Sequence, residues 1–87
     1  MSEPLELSIR GLPEWLIREY LIEMGAAPDA DDAATMVAGG WSVSWDQQRV
    51  GIAGSALALT QFDLIFTGDD LEQVFEDFMK KAQRGGG

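Results

Sequence analysis

The stretch Phe62–Gly87, FDLIFTGDDLEQVFEDFMKKAQRGGG, decides the fold. Phe62, Leu64 and Phe66 alternate with Asp63, Ile65 and Thr67, the period of two expected of a strand with one face more deeply buried than the other. From Leu71 the period changes: Val74, Phe75, Phe78, Met79 and Ala82 follow at helical spacing and line one stripe. Gly68 and Asp69 mark the helix start, with Asp69 and Glu72 spaced for a capping box. Asp69, Asp70 and Glu72 stand at the positive end of the helix dipole and Lys80, Lys81 and Arg84 at the negative end. Glu76 with Lys80 and Asp77 with Lys81 form i,i+4 pairs in the favoured order. Gly85 is expected to stop the helix. A helix over 69–84 is about 24 Å long and a seven-residue strand about 23 Å, so one can lie along the other.

Upstream, Leu5, Leu7 and Ile9 alternate with Glu6, Ser8 and Arg10, a first strand with one face for the core and one for water. Pro13 suits the first position of a helix that runs to Gly25, a C′ residue. Leu16, Ile17, Tyr20, Leu21 and Met24 fall in an arc of about 140°, wide enough for a core face. Trp15 and Ile22 lie outside it, between the Glu14/Arg18 and Glu19/Glu23 edges, as a second narrow apolar stripe.

Between the two helices, residues 26–33 (AAPDADDA) have turn composition with clustered aspartates and read as a solvated loop. Met36–Ala38 is apolar but short, and Gly39-Gly40 breaks it. Trp41, Val43 and Trp45 alternate with Ser42, Ser44 and Asp46 as a clear strand. Asp46–Arg49 is expected to turn the chain, with Val50 and Ile52 beginning the returning strand and Ala56–Thr60 continuing it. Gly51 and Gly54 suggest a bulge or a close approach there. The order is β-α-β-β-β-α: an α+β two-layer sandwich in which two helices cover one face of an antiparallel sheet of three to four strands. Residues 1–84 read as one domain and Gly85, Gly86 and Gly87 as a flexible tail.

The formal charge of -9, from 15 acidic and 6 basic residues, leaves no basic stripe to meet phosphates, which argues against nucleic acid and against an anionic membrane. No apolar run is long enough to span a bilayer and no signal-like segment is present. Zero cysteines fit a reducing compartment, and a cytoplasmic protein is the expectation. With no His and no Cys, the usual zinc sites, cysteine nucleophiles and Ser-His-Asp triads are impossible. Asp29, Asp31 and Asp32 fail the EF-hand test, because the sixth position is Ala34 and the twelfth Gly40. Gly51–Ser55 lacks the third glycine of a dinucleotide loop and the lysine of a P-loop. No catalytic residue, metal ligand or cofactor site is therefore assigned, and an enzyme is the poorest reading. Trp41 and Trp45 read as core aromatics before a binding wall, and Lys80, Lys81 and Arg84 as a dipole-matched helix end before a docking patch.

The segment GLPEWLIREYL (Gly11–Leu21), the segment FTGDDLEQVFEDFMKKA (Phe66–Ala82) and the ending RGGG (Arg84–Gly87) together resemble a small bacterial domain of unknown function. That family is also described as the C-terminal domain of proteins related to MoaD, the small subunit of molybdopterin synthase. The resemblance implies a compact α+β fold and an association with molybdenum cofactor or ubiquitin-like sulfur-carrier proteins, and it carries over no catalytic residue. The chain departs from the carrier itself, whose thiolated diglycine follows a β-grasp strand, whereas Gly85–Gly87 follow a helix.

Two functions of different class follow. One is a non-enzymatic interaction or assembly module, homo-oligomeric or partner-binding, with Trp15, Ile22, Arg18 and Glu19 as its surface. The other is an accessory or carrier protein of molybdenum cofactor or sulfur-transfer biosynthesis, which would use the tail Gly85, Gly86 and Gly87.

Overall fold

The computed structural model describes residues 3–51, 54 and 58–86. In chain order the elements are β1 (Leu5–Arg10), α1 (Glu14–Glu23), β2 (Ala27–Pro28), β3 (Thr35–Val37), β4 (Trp41–Gly51), β5 (Ala58–Gly68) and α2 (Leu71–Gly86). The strands form one sheet in the order β1-β5-β4-β3-β2, and every pairing is antiparallel. The described residues thus form an α+β fold with two helices and a five-stranded antiparallel sheet.

The strand count exceeds the expected three to four, and the reasons are local. Residues 26–33 are not wholly loop: Ala27 and Pro28 pair with Val37 and Met36. Met36 is fully buried while its neighbour Val37 is exposed, so the short 35–37 segment is a true strand between β2 and β4. The expected turn at Asp46–Arg49 is absent, because β4 runs straight through it, pairing with β5 from Trp41↔Gly68 to Gly51↔Ala58. Those residues are polar on both faces because the strand has left the core by then: Val43 and Trp45 are buried, whereas Gln47 and Arg49, on the same face, are exposed. Ala58–Thr60 belong to β5 and do not form a separate strand. Ile52, Ala56 and Gly87, assigned above to strands and tail, lie outside the described residues.

One alternate set of sheet residues packs with the helices. Val43, Trp45, Phe62, Leu64 and Phe66 join Ile17, Tyr20 and Leu21 of α1 and Leu71, Val74 and Phe78 of α2 in a single buried cluster. Phe66 lies at its middle, edge-on to Phe78 at 5.6 Å and to Phe75 at 6.4 Å. Tyr20 meets Phe78 edge-on at 6.3 Å, which brings the helices together. Lys81, expected to pair with Asp77, reaches across to Glu23 of α1 at 3.4 Å, while Lys80 pairs with Glu76 as its spacing predicts.

The helix ends follow backbone chemistry. Pro13 is the N-cap of α1 instead of its first helical residue. At the other end Gly25 has φ 99°, and the bonds Gly25 N–H to Ile22 O and Ala26 N–H to Leu21 O, both 3.0 Å, complete a Schellman motif. For α2 the Asp70 carbonyl accepts from Gln73 and Val74 at 3.1 Å, so Asp70, with φ 53°, precedes the helix where the sequence placed Asp69 as cap. The Asp69 N–H instead donates to the Gly40 carbonyl at 2.8 Å. The helix continues to Gly86, past the stop expected at Gly85.

Candidate interaction surface

On α1 the candidate residues separate into two groups. Trp15 is 65% exposed and Ile22 53% exposed, aligned seven residues apart and so close to two full turns of one helix face. Glu19 is exposed between them. Arg18 turns the other way. Its guanidinium lies 5.0 Å from the centre of the Trp45 ring, approaches Glu14 at 3.5 Å and donates to the Ala33 carbonyl. Glu14 in turn accepts the Trp45 indole N–H at 3.1 Å. Glu14, Arg18 and Trp45 therefore tie α1 to β4 and to the loop before β3, a cation–π and hydrogen-bonded joint beneath the helix. Trp45 is a core residue, and Trp41, half-buried, packs against Phe66 at 6.3 Å.

The acidic loop holds itself. Asp32 accepts from the Ala34 N–H and the Thr35 hydroxyl, both at 2.9 Å, and these two bonds lower its pKa. That is an Asx-type turn leading into β3. Among the described residues no group of three or more acidic side chains is placed to hold a metal ion.

The sheet residues that alternate with the buried set carry a polar network that spacing alone does not single out. Asp63 of β5 accepts from Ser8 of β1 at 2.6 Å, from Gln61 at 2.7 Å and from Gln48 of β4. The Ser8 bond first, then that from Gln61, holds its carboxyl below the usual aspartate range. Arg10 donates to Gln61 at 2.8 Å, and Ser42 shares a bond with Thr67 at 2.9 Å. The alternation of β1 and β5 marks Ser8, Arg10, Asp63 and Thr67 as outward. Their meeting depends on register, with Ser8 opposite Asp63 and Arg10 opposite Gln61, and no residue type announces that.

The clefts at the surface are open, and one of about 450 Å³ is lined by Leu12, Pro13, Leu59 and Phe62 beside Glu14 and Gln47. Among the described residues, α1 presents Trp15 and Ile22 as an exposed apolar pair. No helix among the described residues is long and apolar enough to cross a membrane.

These features define a small α+β protein with an exposed apolar pair on its first helix. Residues 5–87 match the family described as archaeal MoaD-like protein, and the chain belongs to that family. The resemblance drawn from the two helical segments and the glycine run therefore leads to the same MoaD-related group. No curated protein matches the chain.

Proposed function

We propose that this chain is a non-catalytic docking protein of molybdopterin or sulfur-carrier chemistry, a cytoplasmic two-layer sandwich that uses the outer side of α1 to hold a protein partner. The observation that carries this reading is the aligned exposure of Trp15 and Ile22. Exposed singly, such residues are ordinary, but an aligned pair containing Trp is the pattern of a contact surface. MoaD-like family membership supplies the chemical setting. Sedimentation of the chain alone and mixed with a MoaD-type carrier protein tests it. A Trp15→Glu/Ile22→Glu double variant is expected to keep its circular dichroism spectrum and to lose the heavier species. If wild type forms no heavier species in either sample, or the double variant keeps it, the reading fails.

A second reading, a carrier in its own right, is favoured by the family match extending through the glycine run to residue 87. It requires the chain's terminal carboxylate to be activated. Incubation with ATP, a sulfide source and an activating enzyme would then shift the intact mass, and an unchanged mass rules the carrier out.

A further inference from the structure

We propose that the free edge of β1 is a strand-addition site for an extended segment of another protein, apolar along the side that faces the helices and basic at the end that meets Glu3. Among the described residues β1 ends the sheet, and its backbone phase is set by one bond. The Gly11 N–H donates to the Thr60 carbonyl at 3.4 Å, continuing the register in which Arg10 faces Gln61. Alternate residues of an antiparallel ladder bond to the same neighbour, so Leu5, Leu7 and Ile9 bond to β5. The N–H and C=O groups of Glu6, Ser8 and Arg10 are turned to the open edge.

Two of the devices that usually protect an edge, proline and a bulge, are missing from this strand, whose charged residues are Glu6 and Arg10. Its six residues hold no proline and no bulge. The side chains of Ser8 and Arg10 are tied back to Asp63 and Gln61 of β5 and do not cross the edge. The opposite edge differs: β2 is two residues long and includes Pro28. On the helix side Leu5, Leu7 and Ile9 pack against the core yet stay only partly buried, and an added strand would complete their cover.

Charge selects the occupant. A cleft of about 690 Å³ opens beside Leu5 against the start of α2, and Glu3, Asp70, Glu72 and Glu76 line it. An antiparallel guest strand would bring its C-terminal end there, and lysine or arginine at that end meets these carboxylates. A second copy would instead set two molecules of charge -9 edge to edge. Main-chain bonds supply the affinity in such strand addition and alternate side chains the specificity.

The probe is an amidated peptide in which valine and threonine alternate and two lysines follow, titrated into the ¹⁵N-labelled chain. The amides of Glu6, Ser8 and Arg10 are expected to shift and to gain protection from hydrogen exchange. Binding is expected to weaken at least about tenfold in three cases: methylation of alternate peptide amides, exchange of the lysines for glutamates, and a Ser8→Pro chain. Proline is tolerated at an edge position whose N–H faces outward. If that variant fails to fold, the methylated peptide on wild type decides. The proposal is overturned if the probe does not bind, if the methylated or glutamate peptide binds as tightly, or if the shifts fall on α1. It is equally overturned if the purified chain protects the same three amides by pairing with itself. A Trp15→Glu chain is expected to bind the peptide unchanged, so this site and the α1 surface fail or stand separately.

Discussion

Two residues show how position, more than type, sets their importance. Gly68 has φ 126°, and a Cβ there would strike the Gly40 carbonyl and sit 2.6 Å from the Trp41 Cα. Both obstacles are backbone, so neither yields by a rotamer change. Gly51 and Gly54, expected to mark a bulge or a close approach, both have open space where a side chain would go. Gly68→Ala combines left-handed strain with a backbone clash, and a loss of about 2–4 kcal/mol is expected in urea unfolding; a loss under about 1 kcal/mol would mean that the β5–α2 corner relaxes freely. Asp63 is the second case. Its folded pKa is depressed, foremost by the Ser8 hydroxyl, so its contribution to stability is present above the unfolded value and is lost as pH falls through the lowered one. The stability gap between wild type and Asp63→Asn, present at pH 7, is therefore expected to shrink as pH drops below about 4. A gap that stays constant to low pH would show that ionisation of Asp63 contributes nothing.

Elements were legible where one period ran long enough. The alternation in Leu5–Arg10 and Phe62–Thr67 and the stripes of both helices correspond to buried or partly buried side chains at the expected positions. What escaped was set by pairing. Ala27–Pro28 is too short to show any period, and the polar run Asp46–Arg49 resembles a turn because hydropathy reports burial, while strand continuity here depends on hydrogen bonds to β5. The contact surfaces followed the same division. Exposure of Trp15 and Ile22 could be derived from the wheel of one helix, but the inward turn of Arg18 required knowing that Trp45 and Ala33 lie beneath it. At the far end of the chain, α2 takes in Gly85 and Gly86, residues that gain least from helical order because they lose most backbone freedom. Deleting Gly86 and Gly87 is expected to change stability by less than about 1 kcal/mol in thermal melts, and a larger loss would mean that the glycine run is packed.

For the molecule as a whole, charge is what distinguishes a foreign partner from a second copy. Fifteen acidic residues face six basic ones, and on α1 the exposed Trp15 and Ile22 share their helix with Glu14, Glu19 and Glu23, of which Glu14 pairs with Arg18 and Glu23 with Lys81. Apolar contact sets the area of such an interface, while the field around it sets the rate of encounter and selects against wrong partners. Two copies repel each other at low salt, and screening removes that repulsion: the Debye length falls from about 10 Å at 0.1 M to about 3 Å at 1 M. A basic partner experiences the reverse. A complex with a foreign protein through α1 is thus expected to weaken as sodium chloride rises, chiefly through slower association, whereas self-association through the same surface would tighten. Stopped-flow mixing followed by Trp fluorescence, across a salt series, separates the two. An association rate that does not fall with salt would remove charge complementarity from the docking proposal, and tightening in the purified chain alone would replace the foreign partner by a second copy.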